Sequence, residues 1–334
     1  VNAAIDAITL RPDVFFAALG EAKRLGLHFI GHLPPSVDVR AATSAGMQSI
    51  EHVGPRDAIL LGCSSDEAAI RQAMAAAPPR PPAPPTGPPT QEQIWRGLAN
   101  PTLTAPPQEF ARYEQVVRTF SDARALDLAK HFVTTGTWMV PTLIRIRTME
   151  IGDDPAYRTD PNLRFVPQAT RAMWEDVSQQ FGAFSQSERD SARALFDLQL
   201  RLVKPFKAAG VQMMTGSDLG GGFVIPGIGL HQEFDLLERA GLSPLEVLQM
   251  TTIDGARFLG REQTMGTVAP GKNADLVLLD ANPLERIANL HGIAGVVRAG
   301  TYFPKPALDA MKERTAARMV AYGDTIAAVK CPCC

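Results

Sequence analysis

The chain has 334 residues, of which 45% are hydrophobic and 20% charged, and a net charge of −2. That length accommodates one large α/β domain with an appendage, or two ordinary domains, and the composition excludes wholesale disorder. The near-neutral balance gives no electrostatic basis for nucleic acid or an anionic membrane as partner, and no apolar run is long enough to span a bilayer.

Val1 is not a methionine, and no charged-then-apolar targeting pattern follows it. The expectation is a processed precursor or a piece of a longer chain, whose compartment the sequence does not reveal. Residues 12–25 carry Phe15, Leu19 and Ala22 at helical spacing behind Pro12 and Asp13. A short apolar run, HFIGH, ends at His32. Ser36 opens a second helical stretch that stops at Gly46, and a second short run, QSIEH, ends at His52. Helix, strand, helix, strand in so few residues is the rhythm of a parallel α/β sheet.

Residues 77–107 interrupt that rhythm as an insertion. They contain PPRPPAPPTGPP, which removes backbone donors and reads as an exposed loop of polyproline character, either a solvated insertion or an SH3-type ligand. A helical stretch from Glu109 to about Thr135 precedes TWMVPTLI, a strand-like run broken by Pro141. Residues 166–209 read as amphipathic helix, with Trp174, Phe181 and Phe184 near one end and Leu195, Leu198 and Leu202 near the other. VQMMTGSD is an apolar run with a polar tip at Ser217 and Asp218, and GGGFVIPG is a loop. Two helices follow, the second opened by Ser243-Pro244-Leu245-Glu246, a capping box with proline in its first turn. After Gly260, GTVAPGKNADLVLLD and GVVRAGTYF are short β-type runs between Gly, Pro and Asn. The expected organisation is a barrel-type domain over 1–260, a β-sandwich segment over 261–310, and a helix and tail over 311–334.

His32, His52 and Asp218 each stand at the C-terminal end of a predicted strand. In a parallel barrel those ends face one mouth, where sites are built. Neutral imidazoles and a carboxylate suit Zn²⁺ or a similar divalent ion. Structural residues at strand ends satisfy the same spacing. Cys331, Cys333 and Cys334 end the chain as either a soft-metal site or a frayed tail.

GHLPPSVDVRAATSAGMQSIEHVG resembles the fifth-to-sixth strand region of the amidohydrolase superfamily, and MMTGSDLG resembles its eighth strand. LSPLEVLQMTTIDGARFLG followed by GTVAPGKNADLVLLDANPL is similar to the helix and β-sandwich that end its imidazolonepropionase-like and Xaa-Pro-dipeptidase-like branch. The resemblance covers nearly everything outside residues 57–107. It implies a partial (β/α)8 TIM-type barrel with a C-terminal β-sandwich segment. It implies hydrolysis of a C–N bond in an amide, cyclic amide or Xaa-Pro dipeptide, with a divalent metal, zinc, as one or two ions in the complete protein. It assigns His32, His52 and Asp218 as metal ligands, Asp218 as the catalytic group that moves the proton, and the region of His231 as a pocket rim where it contacts substrate; Arg145 reads as either a contact to a substrate carboxylate or a surface arginine. A small molecule or dipeptide is the expected partner, with neither nucleic acid nor membrane, and a homo-oligomer is compatible. The family's His-x-His pair and carboxylated lysine have no counterparts in the sequence. The alternative is therefore a truncated or degenerate chain without activity, acting as a binding or assembly subunit.

Overall fold

The computed structural model describes residues 3–5, 10–53, 58–76 and 90–321. Four short strands, β1 (Ala3–Ile5), β2 (Phe29–Gly31), β3 (Ser49–Glu51) and β4 (Trp138–Val140), form one parallel sheet in the order β1-β2-β3-β4. Met139 N–H donates to Gln212 O at 3.0 Å, and Met214 N–H donates to Met139 O at 3.1 Å. Residues 212–214 therefore lie parallel beside β4. Segments consecutive in sequence are neighbours in space and run the same way, as successive βα units require. Their C-terminal ends share one side.

Helix Val39–Ala45 joins β2 to β3, and it starts where Asp38 accepts the Ala41 N–H. The helical stretch expected from Glu109 to Thr135 is two helices, Pro107–Arg118 and Asp122–Thr135, because Ser121 caps the second by accepting the Arg124 N–H. Residues 166–209 likewise divide into Gln168–Gly182 and Gln186–Ala208 at a Ser185/Glu188 capping box. The Ser243/Glu246 capping box is present and opens helix Pro244–Thr251. The expected strand at 211–218 is reduced to its bridge at Met213, since Thr215 N–H turns to Met250 O at 3.3 Å.

The expected loop at 77–107 needs correcting in its second half; residues 77–89 lie outside the described residues. Proline density ends at Pro89, and Thr90 with Gln93 forms a capping box that starts helix Gln91–Ala99. A 3-10 turn, Pro101–Thr104, follows. Buried Asn100 donates to Thr148 O and Met149 O, which ties this segment to helix Leu143–Glu150.

The core lies between the sheet and the helices. Phe15, Leu19 and Ala22 are buried, as their spacing predicts. Ile50, Met139 and Met213 are fully buried where the strands meet the layer below. Phe132 and Phe206, both fully buried, meet edge to face at 5.7 Å and join helix Asp122–Thr135 to helix Gln186–Ala208.

A second sheet is antiparallel: β5 (Leu276–Leu279), β6 (Ile293–Arg298) and β7 (Thr301–Pro304), in that order. Its side chains are largely exposed. Helix Lys305–Ala321 follows, and the cysteine tail lies outside the described residues.

Two substitutions separate the contributions of capping and packing. Ser243→Ala removes one capping bond and is expected to cost about 1 kcal/mol. Phe132→Ala opens a cavity in the core and is expected to cost about 3–5 kcal/mol. Urea unfolding of both variants measures the difference; equal losses would contradict this assignment of the core.

Candidate active site

His32 and His52 follow β2 and β3, and their rings lie 4.7 Å apart. Asp218 follows the bridge at Met213, and its Oδ2 stands 3.7 Å from His52 Nε2. Three residues far apart in sequence thus meet at one end of the parallel sheet.

The protonation of His52 follows from its neighbour. Thr142 Oγ1 donates its one proton to Pro141 O at 2.8 Å. The same oxygen is hydrogen-bonded to His52 Nδ1, so it accepts there and Nδ1 carries the proton. His52 Nε2 then presents a lone pair. Burial, with the His32 ring and the Arg145 guanidinium close by, pulls the His52 pKa down to about 3, which keeps the ring neutral.

The backbone around these side chains is strained. Six described residues other than glycine have positive φ. Five of them are His52 (64°), Val53 (54°), Thr142 (44°), Asp218 (47°) and Phe223 (60°); the sixth, Ala299, lies in the β6–β7 hairpin. Left-handed backbone costs a β-branched or bulky residue roughly 1–3 kcal/mol. Such strain gathers where side chains are held for a purpose other than stability.

Arg145 is buried, and every nitrogen of its guanidinium is engaged. Nε donates to Asp218 Oδ2 at 3.2 Å, Nη1 to Ala99 O at 3.0 Å and Nη2 to Leu98 O at 2.5 Å. A Cβ at position 221 would come 2.5 Å from Nη1, so Gly221 leaves the room in which Arg145 lies.

Residues 183–302 match the amidohydrolase family. That segment of the chain is similar to the amidohydrolase family. A 5'-deoxyadenosine deaminase of Methanobrevibacter smithii is 47% identical over 53 residues, covering 16% of this chain and 12% of the relative. A probable guanine deaminase of Deinococcus radiodurans is 42% identical over 78 residues, covering 22% of this chain and 18% of the relative. The matches thus span less than a fifth of these curated relatives. Among solved structures, a bottromycin amidohydrolase superposes over 93% of this chain and 57% of its own, with a TM-score of 0.64 and 21% identity, a likeness of fold.

The amidohydrolase superfamily usually binds a divalent metal, and the donor types gathered here, two imidazoles and a carboxylate, are ones that suit such an ion. Their spacing is wider than a ligand set. Among the described residues, no group of three or more His, Cys, Asp or Glu is placed to hold a metal ion. His32, His52 and Asp218 lie as neighbours, with Arg145 donating through Nε to Asp218 Oδ2. His231, expected as a substrate contact, packs against His291 at 5.1 Å and Phe234 at 5.3 Å.

Two buried acidic residues near the strand ends are not singled out by the sequence pattern. Glu51 directly precedes His52; burial and the charge of Asp218 raise its pKa to about 7 against a bond from Ser49. The alternation in QSIEH hides it, because a strand-end glutamate beside a histidine looks like a solvated neighbour. Glu233 is fully buried on helix Ile228–Arg239 and accepts the backbone N–H groups of Leu143 and, at 2.8 Å, Ile144. It stands in for the missing N-cap of helix Leu143–Glu150, whose preceding Thr142 has its hydroxyl turned to His52. Its signal in the sequence was a charge inside the apolar stripe formed with Phe234 and Leu237.

Burial raises the Glu233 pKa to about 8, opposed by those two N–H bonds. The unfolded chain releases this proton near the ordinary glutamate value of 4.5 and the folded chain near 8, so the folded state binds more protons between them. Stability from this group is fullest below pH 4.5 and falls as pH rises toward 8, by up to about 1.4 kcal/mol per pH unit. Glu233→Gln is expected to flatten that decline in denaturant unfolding measured from pH 5 to 9. An unchanged slope would show that Glu233 does not keep its proton on folding.

Proposed function

We propose that the protein hydrolyses a carbon–nitrogen bond, with His32, His52 and Asp218 as the protein side of a divalent metal site. The observation that carries this reading is the meeting of these three side chains at parallel strand ends, with His52 Nε2 3.7 Å from the Asp218 carboxylate. It agrees with the likeness of residues 183–302 to the amidohydrolase family and with curated relatives that include deaminases. A divalent ion, of which zinc best matches two imidazoles and a carboxylate, supplies Lewis acidity for the scissile bond and for water. One or two ions are compatible with ligands contributed from a longer chain, in which the parallel strands would continue into a (β/α)8 barrel.

The chain's own residues do the rest. Asp218 accepts a proton from the attacking water and delivers it to the leaving nitrogen, so the C–N bond breaks without expelling an amide anion. Arg145 holds Asp218 in place through Nε. Thr142 holds His52 in the tautomer with a free Nε2. Substrates in keeping with the Xaa-Pro-dipeptidase-like and imidazolonepropionase-like resemblance are small amides, cyclic amides and Xaa-Pro dipeptides.

A second reading has one observation in its favour: Arg145 already neutralises Asp218. On that reading the chain is a non-catalytic binding or assembly subunit. Metal content separates the two. Stoichiometric zinc after dialysis supports the hydrolase, and a metal-free protein supports the subunit.

Asp218→Asn is expected to lower turnover of a preferred amide by about 10²–10⁴-fold while leaving the protein folded. Turnover, read with thermal unfolding on the same samples, checks this. Near-normal turnover from a folded Asp218→Asn protein would remove Asp218 from the mechanism.

A further inference from the structure

The Arg145 guanidinium bonds in three directions, and Asp218 takes one of them. Nη1 and Nη2 go to Ala99 O and Leu98 O, the last carbonyls of helix Gln91–Ala99. Carbonyls at a helix C-terminus have no partner within the helix, and a cation there also meets the negative end of its dipole. The helix end therefore seats the guanidinium, and Nε reaches Asp218 from that seat.

Ala99 O has a second partner. It accepts the Gly222 N–H at 2.9 Å, on the loop that follows Asp218. One carbonyl thus holds the Asp218 carboxylate through Arg145 and the Asp218 backbone through Gly222.

Asn100 decides where that carbonyl stands. It is buried, and both of its amide hydrogens are used: Nδ2 donates to Thr148 O at 3.3 Å and to Met149 O at 3.2 Å. Oδ1 accepts the Thr102 N–H at 3.0 Å. These bonds settle the amide orientation, because turning it over would set Oδ1 against two carbonyl oxygens. Thr148 and Met149 belong to helix Leu143–Glu150, which also carries Arg145. The bonds therefore close a ring. It runs from Asn100 to that helix, along the helix to Arg145, across to Leu98 O and Ala99 O, and back to Asn100. Nε is left to reach out of the ring to Asp218.

Glycines leave the room for it. A Cβ at position 152 would come 2.6 Å from Asn100 Nδ2, and one at position 222 would come 3.1 Å from Ala99 O. Gly221 does the same for Arg145.

We propose that Asn100 is a positioning residue for Asp218, acting through Arg145. Resting on the hydrolase reading above, its effect falls on turnover rather than on substrate binding.

Asn100→Ser separates the two jobs of this side chain. Serine can still accept the Thr102 N–H as the cap of the 3-10 turn, but it is too short to reach Thr148 O and Met149 O. The variant is expected to fold, with kcat for a preferred amide lowered about ten-fold and KM unchanged. The NMR signal of the Arg145 Nε–H, identified by its absence in Arg145→Lys, reports the bond to Asp218 without substrate or metal. It is expected to shift and to exchange faster with water in Asn100→Ser, and to stay in place in Ser243→Ala. In an Arg145→Lys background, Asn100→Ser is expected to cost no further turnover. An unmoved signal in folded Asn100→Ser, or a further loss of turnover in the Arg145→Lys background, would overturn the proposal. A moved signal with unchanged kcat would overturn the effect on turnover. A moved signal in a protein whose parent turns over no amide would sink the hydrolase reading and leave the positioning of Asp218 standing.

Discussion

The hydroxyl of Thr142 holds one proton and serves two neighbours, and the geometry of the site depends on where that proton goes. It goes to Pro141 O, which makes the oxygen an acceptor for His52 Nδ1–H. His52 is thereby left with a lone pair on Nε2, facing Asp218. A threonine at this position would ordinarily cap the following helix. With its hydroxyl turned to His52, helix Leu143–Glu150 is capped from outside by the buried carboxyl of Glu233. That helix carries Arg145, which holds Asp218. One hydroxyl therefore links the tautomer of a histidine, the capping of a helix and the aim of a carboxylate.

This arrangement is bought with conformational strain. His52, Val53, Thr142 and Asp218 all lie in left-handed backbone, a region that β-branched residues avoid. Each also directs a side chain, or its neighbour's, away from the path a regular strand-to-helix turn would give. The core beneath is ordinary close packing of Ile50, Met139 and Met213, together with paired aromatic rings such as Phe132 and Phe206. Stability is supplied by that layer, while the strand ends above it hold geometry that local propensity disfavours.

Buried ionisable groups are concentrated in the same place. Glu51, Arg145 and Glu233 are all withdrawn from water around the strand ends. Burying such groups is costly unless each is bonded. Arg145 meets that cost through Asp218 and two backbone carbonyls, and Glu233 meets part of it through the Ile144 N–H on Oε2. Loss of any one partner leaves another buried polar group unmet, which couples residues that touch neither substrate nor each other directly.

Local pattern in the sequence determined where strands end and helices begin. The spacing of Phe15, Leu19 and Ala22, the Ser243/Glu246 box and the apolar runs ending at His32 and His52 all depend on neighbours a few residues away, so they were legible from the chain alone. The residue types at those run ends, with the resemblance of their flanking motifs, likewise pointed to the superfamily. Helix breaks at Ser121 and Ser185 were missed, because one polar residue inside an apolar rhythm does not announce that it caps. Only the tertiary structure decided that Arg145 holds Asp218, that His231 faces His291, that Glu233 caps a helix 90 residues upstream in the chain and that residues 91–104 pack against helix Leu143–Glu150. The reason is physical. Periodicity records which face of an element avoids water, whereas the partner of a buried charge is set by which distant element the fold brings within hydrogen-bonding reach.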